Sequence, residues 1–450
     1  MKNKKIAVIG IGVSNTPLIE LLLASGCNVT ACDRAEREKL GATAAALEAK
    51  GAKLRLGEAY LQALDADIIF RTPGIRPDLP ELTAAIGRGA VLTSEMEVFF
   101  DVCPSRIIAV TGSDGKTTTT TIIAKLLTEE GYRVHLGGNI GTPLLTRSDT
   151  MKEEDIVVLE LSSFQLMTMK RSPSIAVVTN LTPNHLDMHR DMQEYVEAKR
   201  NICRYQHAKD TLVLNLDDNI TRGFAGTAKG DVRFFSRKSR VENGTYQEGS
   251  TVYEADGGKI TPVIETSQIL LPGVHNIENY LAAFTAVRGL VHRPSCIKVA
   301  ETFKGVAHRI ELVRTLRGVK YYNDSIASSP SRTIAGLRSF NRKVILIAGG
   351  KEKGIPFDEL GPEVVKHVKT LVLTGATADK LRAAVENTPG YGGSPDIIEK
   401  ADFREAVLAA HNAAEEGDIV LLSPACTSFD KFKNFEERGN TYKDIVNGLE

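Results

Sequence analysis

Residues 107–118 read Ile107-Ile108-Ala109-Val110-Thr111-Gly112-Ser113-Asp114-Gly115-Lys116-Thr117-Thr118. These are the types that a triphosphate needs, in the order it needs them. Gly112 and Gly115 let backbone N–H groups, with those of Ser113 and Asp114, converge on phosphate oxygens. The helix that follows, with helical composition over Thr118–Glu130, adds the partial positive charge of its N-terminus. Lys116 supplies a mobile cation, and the Thr117 hydroxyl can reach a phosphate-bound Mg²⁺. The usual spacing puts a first glycine at position 110, which is Val110 here, so the motif is the shortened form G-x-x-G-K-T. The competing reading is a glycine turn before a threonine-capped helix that includes Thr118. The apolar strand in front favours the nucleotide loop.

Other polar clusters also follow apolar runs. Glu160-Leu161-Ser162-Ser163-Phe164-Gln165 follows one, and Asn180-Leu181-Thr182-Pro183-Asn184-His185-Leu186-Asp187 follows the next. Gly137-Gly138-Asn139-Ile140-Gly141 adds a backbone-exposing turn. In a parallel sheet the carboxyl ends of strands line the ligand crevice, so Glu160 and His185 can offer oxygen and nitrogen to a divalent ion. Each can equally be a satisfied polar residue at a strand end. His189 reads as a surface residue. At the N-terminus Gly10-Ile11-Gly12-Val13-Ser14-Asn15 follows the first strand and Asp33 closes the second, half of a dinucleotide fingerprint with Asn15 at the third glycine position. Arg71-Thr72-Pro73-Gly74 after the third strand offers further backbone donors. A plain βα turn, NAD, or the uridine or pyrophosphate of a nucleotide sugar all fit.

The elements that position these residues are short β-branched runs alternating with helix-length segments. Ile6–Ile9, Asp67–Phe70, Ile107–Val110, Ile156–Leu161, Ile175–Thr179, Val344–Ala348, Leu371–Leu373 and Ile419–Leu422 are nearly continuously apolar. That predicts parallel strands covered on both faces and an α/β fold. Between Asp231 and Leu271 the pattern changes. Val252, Tyr253, the turn Asp256-Gly257-Gly258 and Ile260 predict antiparallel hairpins. Breaks at Cys103-Pro104-Ser105 and near 305–310 divide the 450 residues into three domains, 1–103, 104–305 and 306–450.

Lys plus Arg and Asp plus Glu both total 56, which excludes binding of nucleic acid or anionic membrane by bulk charge and hints at a monomer. No run approaches the roughly 18 apolar residues of a membrane span. The basic start is followed by too short an apolar run, broken by Gly10 and Gly12, to be a signal peptide. The six cysteines form no CxxC pair, so neither a disulfide framework nor a zinc cluster is expected. A cytoplasmic enzyme is the expectation.

TGSDGKTT, GGNIG, ELSSFQL, NLTPNHLDMH, Gly273-Val274-His275-Asn276-Ile277-Glu278-Asn279, His308-Arg309, Tyr322-Asn323-Asp324-Ser325 and SPACTSFDKFKNFEERGN occur in this order. The whole chain thereby resembles the Mur ligases, ATP-dependent amide-forming enzymes of peptidoglycan precursor synthesis. The N-terminal turn and the last motif look most like the branch that adds D-glutamate to UDP-N-acetylmuramoyl-L-alanine. The resemblance implies a Rossmann-like N-terminal domain, a central P-loop ATPase-like domain with a β-rich part, and a Rossmann-like C-terminal domain. It also implies ATP as co-substrate, two Mg²⁺ sites and an acyl phosphate intermediate.

By resemblance, Lys116 and Thr117 are the triphosphate lysine and Mg²⁺ hydroxyl, Glu160 a metal ligand and His185 a ligand of the second metal. Asn139 matches a contact to the transferred phosphoryl region. Lys199 matches a lysine that the family carbamylates, turning an ammonium into an anionic oxygen ligand. By itself Lys199 reads as a surface lysine. Asn276 and Asn279, three apart, match residues that read adenine; on pattern alone they cap a helix equally well. Arg309 and Asp324 match phosphate and ribose contacts. Ser14, Asp33, Arg34, Thr72 and Gly74 match the uridine-diphosphate pocket, and Lys353, Ser328, Ser428 and Phe435 the D-glutamate pocket. Two departures stand out: Ile326 and Ser328 replace a common lysine and threonine, and Lys351 rivals Lys353 in Gly349-Gly350-Lys351-Glu352-Lys353-Gly354.

The alternatives are a sister ligase for another amino acid, a folate-type glutamate ligase, a nicotinamide-dependent oxidoreductase and a nucleotide-binding regulator without catalysis. The N-terminal nucleotide-like turn disfavours the folate reading. Asn15 and the full triphosphate loop disfavour the oxidoreductase, and the intact Lys116, Thr117, Glu160, His185 and Lys199 disfavour the regulator.

Overall fold

A strand with no polar alternation has no face to give to water, so it must lie inside a sheet covered on both sides. The computed structural model, which describes residues 3–183, 188–352 and 354–450, places every such run in one of three sheets. The first holds β1 (Lys5–Ile9), β2 (Asn28–Asp33), β3 (Lys53–Leu56), β4 (Ile68–Arg71) and β5 (Val91–Thr93). All are parallel, in the order β3-β2-β1-β4-β5. Strand order reverses between β1 and β4, and the crevice at such a switch point is where ligands bind. Gly10–Ser14 leaves one side of it and Thr72–Gly74 the other. The run ending at Arg71 is therefore the fourth strand, not the third. Lys53–Leu56 is a half-covered edge strand whose alternating Lys-Leu-Arg-Leu hides it among polar residues.

The second sheet holds β6 (Arg106–Thr111), β7 (Val134–Gly138), β8 (Ile156–Glu160), β9 (Ile175–Val178), β10 (Thr211–Asn215), β11 (Asp231–Ser236), β12 (Asn243–Glu248), β13 (Thr251–Asp256) and β14 (Lys259–Glu265). Its order is β14-β13-β12-β11-β10-β9-β6-β8-β7. β8 and β9 flank β6 in parallel, so the segments leaving all three emerge side by side. β12, β13 and β14 pair antiparallel as expected. The Gly257-Gly258 turn has both residues at positive φ, +57° and +95°, the left-handed conformation that a two-residue hairpin requires.

The third sheet holds β15 (Glu311–Leu316), β16 (Val319–Asn323), β17 (Val344–Gly349), β18 (Val368–Thr374), β19 (Asp396–Glu399) and β20 (Ile419–Leu422), ordered β15-β16-β20-β17-β18-β19. Only the β15–β16 hairpin is antiparallel. Successive side chains of β17 enter two cores. Leu346 and Ala348 pack with Leu371 and Leu421 on one face; Ile345 and Ile347 pack with Val420 and Tyr442 on the other.

The chain forms two compact units. One is Met1–Thr266 with Glu278–Val299, the other Ser267–Ile277 with Ala300–Glu450. Within the first unit a single apolar cluster joins the first two sheets, packing Val8, Phe70 and Phe99 together with Val157, Leu161 and Leu212. Each such side chain stabilises the fold by about 1.5–3 kcal/mol relative to exposure.

Candidate active site

The loop leaving β6 turns through two glycines that no other residue replaces without strain. Gly112 has φ +149°, and a Cβ there would lie 1.9 Å from Thr179 Oγ1. Gly115 has φ +77°, and its Cβ would lie 2.3 Å from Asn279 Oδ1. Residues after β9 brace the loop. Ser113 N donates to Asn180 O at 2.8 Å, Asp114 N to Asn180 Oδ1 at 3.0 Å, and Thr179 Oγ1 to Asp114 O at 2.6 Å. Ser113 Oγ donates to Thr182 O and lies 2.9 Å from the Tyr195 hydroxyl, so that side chain holds the loop from below. Lys116 Nζ folds back onto Ser113 O at 2.8 Å. The helix Lys116–Glu129 starts here, and inside it the Thr120 and Thr121 hydroxyls bond back to the carbonyls of Lys116 and Thr117.

Behind the loop stands Glu160, the last residue of β8 and 2% exposed. Thr117 Oγ1 donates to Glu160 Oε2 at 2.6 Å, and Asn139 Nδ2 to Glu160 Oε1 at 2.9 Å. Thr117, Asn139 and Glu160 are thus brought together. The neighbouring hydroxyl and carboxylate oxygens are a donor set that suits a hard divalent cation. His185 lies outside the described residues. Among the described residues no group of three or more His, Cys, Asp or Glu side chains could hold a metal ion.

Lys199 is not on the surface. It is 2% exposed on the helix Met192–Arg204, with Nζ donating to Gly112 O at 2.8 Å and Thr111 Oγ1 at 3.2 Å, 4.9 Å from the Tyr195 ring centre. Burial, and then the Lys116 charge, holds its ammonium well below the usual lysine range, with Glu160 and Asp114 opposing. His189 is likewise buried rather than exposed. Its Nε2 lies 2.9 Å from Ser163 Oγ and its ring stacks on Phe164. Both departures have one cause: Lys199 meets the end of β6 and His189 the segment after β8, partners distant in sequence that local polarity does not reveal.

At the first sheet's switch point, Asp33 accepts from Ile11 N at 2.6 Å and Ala35 N at 2.7 Å, tying the glycine turn to β2. Gly10, at φ +93°, packs against Thr72, whose N–H donates to Ile9 O. Asn15 is buried, its amide donating to Ile9 O at 3.0 Å, so it stitches the turn to its strand where a fingerprint has glycine. Ser14, Arg34 and Gly74 are exposed around this crevice. Asn279 lies against the phosphate loop, with Thr119 Oγ1 donating to its Oδ1 at 3.2 Å; Asn276 donates to Pro272 O at 2.6 Å.

In the second unit Asp324 is 4% exposed and accepts from Ser423 Oγ at 2.8 Å and Ile310 N at 3.3 Å. Burial pushes its carboxyl up to about 7, against the Ser423 hydrogen bond and the Arg309 charge. Arg309 is half-buried. Arg332, absent from the sequence reading, donates to Ile326 O at 3.2 Å, and the charges of Arg309 and Asp324 act on it. Ser428 is buried, while Ser328 and Phe435 are half-buried. Phe435 O accepts from Ser325 Oγ, and its ring meets His308 edge-on. Lys353 lies outside the described residues. Lys351 is exposed and its backbone bridges Thr427, beside Ser428.

Like Arg332, Tyr195 escaped the sequence reading. Tyr195 supports both Ser113 and Lys199; its signal was its place four residues before Lys199, one turn away on the same helix face. Arg71 was read only for its backbone, yet its buried guanidinium donates to Phe164 O and Thr168 Oγ1. Its signal was a cation closing the apolar run Ile68-Ile69-Phe70.

Residues 110–287 match the Mur ligase middle domain, and residues 308–426 match the Mur ligase, glutamate ligase domain. The chain is 56% identical to the UDP-N-acetylmuramoylalanine–D-glutamate ligase of Acetivibrio thermocellus, over 100% of this chain and 97% of that protein. It is 54% identical to the enzyme of the same name from Ruminiclostridium cellulolyticum, with the same coverage. In fold it is similar to the UDP-N-acetylmuramate-alanine ligase of Thermotoga maritima, with a TM-score of 0.59 at 18% identity over 99% of both chains.

Proposed function

The chain belongs to the Mur ligase family, and from that premise we infer that it is the ATP-dependent ligase joining D-glutamate to UDP-N-acetylmuramoyl-L-alanine. The reaction forms an amide bond in peptidoglycan precursor synthesis. What carries the assignment of its chemistry to residues is the buried Glu160, taking the Thr117 hydroxyl and the Asn139 amide directly behind the phosphate loop.

We propose the following division of labour. Backbone N–H groups from Gly115 to Thr118 hold the triphosphate of ATP, those of Ser113 and Asp114 being taken by Asn180, and Lys116 offsets the charge that spreads over the transferring phosphoryl group. The terminal carboxylate of the L-alanyl substrate attacks the γ-phosphorus, ADP leaves, and an acyl phosphate results. The D-glutamate amine then adds to the acyl carbon, and the tetrahedral intermediate collapses to amide and inorganic phosphate. Mg²⁺, when bound, screens the phosphate charge; Thr117 and Glu160 would hold one ion, and His185 with a carbamate on Lys199 a second. The buried environment of Lys199 suits that modification, because a lysine held neutral is a nucleophile toward carbon dioxide. The neutral nitrogen forms the N–C bond, a C=O electron pair moves to oxygen, and the nitrogen, now cationic, gives one of its protons to solvent.

Asn276, Asn279, Arg309 and Asp324 serve the adenosine and phosphate side. Ser14, Asp33, Arg34, Thr72 and Gly74 serve the uridine diphosphate, and Ser328, Lys353, Ser428 and Phe435 form the D-glutamate pocket, where a cation and hydroxyls hold the carboxylates. The three sheets support domains at 1–103, 104–305 and 306–450. No described helix is long and apolar enough to cross a membrane, and ATP and a nucleotide sugar as substrates suit a cytoplasmic monomer.

The test is phosphate release from ATP and Mg²⁺ with the nucleotide sugar, across D-glutamate, L-glutamate, L-alanine, L-lysine and meso-diaminopimelate. Release should require both the nucleotide sugar and D-glutamate. Release with another amino acid would move the chain to a sister specificity, and none with any acceptor would sink the ligase reading.

A further inference from the structure

Arg71 and Arg76, five residues apart, reach two segments distant in sequence, one following Glu160 and the other opening the helix of Lys199. Arg71, the last residue of β4, is 2% exposed. One guanidinium nitrogen donates to three carbonyls of its own loop: Thr72 at 3.3 Å, Pro73 at 3.2 Å and Ile75 at 2.5 Å. Its partner nitrogen donates to Phe164 O at 3.0 Å and Thr168 Oγ1 at 3.2 Å. Phe164 comes four residues after Glu160.

Arg76 repeats the device five residues on. It grips Glu194 with both terminal nitrogens, at 2.8 and 3.0 Å, and donates to Met188 O at 2.6 Å. Met188 comes three residues after His185 in the chain. Asp78 and Arg190 close the cluster. Asp78 accepts from Arg76 at 2.9 Å and from Arg190, and Arg190 N donates to Glu194 Oε2 at 2.7 Å. Two cations face two anions, so the cluster is neutral and can sit half-covered. Arg76 holds the Glu194 carboxyl down to about 2 and Asp78 lower still.

Adhesion between the first two sheets does not call for this, since one apolar cluster already joins them. What the arginines add is register. The turn Thr72–Gly74 lies between them in sequence, and their far ends land on the segments following Glu160 and His185. We propose that Arg71 and Arg76 are positioning residues. They hold the nucleotide-sugar turn in register with the segment that follows Glu160 and with the helix that carries Lys199, so that the substrate carboxylate arrives in line with the γ-phosphate. The inference rests on the ligase reading above. Its magnitude follows from geometry, because a misplacement of about 1 Å can cost about 100-fold in rate.

Arg76→Ala and Arg71→Lys, which keeps the charge but not the fork, should lower kcat for D-glutamate-dependent phosphate release by about 10- to 100-fold. ADP binding, followed by titration calorimetry, should keep its stoichiometry and its affinity within about twofold. Arg76→Glu should be the most damaged single variant, and adding Glu194→Arg should restore part of kcat. Unchanged kcat would overturn the proposal. So would a loss of kcat matched by an equal loss of ADP-binding stoichiometry, since that marks a merely destabilised fold. If Arg76→Ala does not fold, Arg76→Lys and the charge-swapped pair decide the matter by the same two readouts. A wild-type protein with no D-glutamate-dependent release would instead sink the underlying ligase reading.

Discussion

Lys199 carries a hidden chemical state. An amine buried beside Gly112 and Thr111, with a second lysine acting on it, costs free energy as an ammonium and reacts readily as a free base. Carbon dioxide should therefore modify it. In degassed buffer the rate should fall, and bicarbonate should restore it. Carbon-13 bicarbonate should give a carbamate resonance in the wild type that Lys199→Ala lacks. A rate indifferent to bicarbonate, with no such resonance, would leave Lys199 a structural brace for the phosphate loop.

Among the elements, the two glycine turns differ in how tightly their surroundings close on them. At Gly112 both the backbone conformation and the Thr179 hydroxyl forbid a Cβ, whereas at Gly12 nothing lies within 4 Å. Gly112→Ala should distort the cradle itself and lower ATP-dependent turnover by orders of magnitude. Gly12→Ala should leave KM for ATP unchanged and disturb, if anything, only KM for the nucleotide sugar. Steady-state kinetics on the pair checks both, and equal losses would refute the division of labour between the sheets. The strand–turn–helix around Gly112 and the hairpin turn at Gly257-Gly258 were legible in sequence because glycine at a forced positive φ is a local requirement. The edge strand Lys53–Leu56 was not, because half-covered alternating residues resemble a loop.

Across the whole molecule, two compact units with separate apolar cores should unfold as two transitions in calorimetry. Asp324 labels the second. Its carboxyl titrates near 7 when folded and near 3.8 when unfolded, so the folded state holds the extra proton between those values. Its contribution is fully present below about 3.8 and is lost as pH rises through about 7. Asp324→Asn should therefore flatten the pH dependence of one transition in that window and leave the other alone. The nucleotide sugar, bound at the first sheet, should raise the other transition, by about 2.7 kcal/mol at 100 times its Kd. A single transition, or one that responds to both, would show that the two cores unfold together.

Motif order and apolar runs already contained the α/β class, the phosphate loop and the placing of Glu160 at a strand end, because each depends on residues within a turn or two of a strand end. Contacts between distant segments decided the rest. Lys199 and Thr111 are 88 positions apart, and Arg76 and Glu194 are 118 apart. A lysine or an arginine on a polar helix or loop looks the same whether it faces water or a neighbouring sheet. Its environment, and with it its charge state and its role, exists only once the chain has packed.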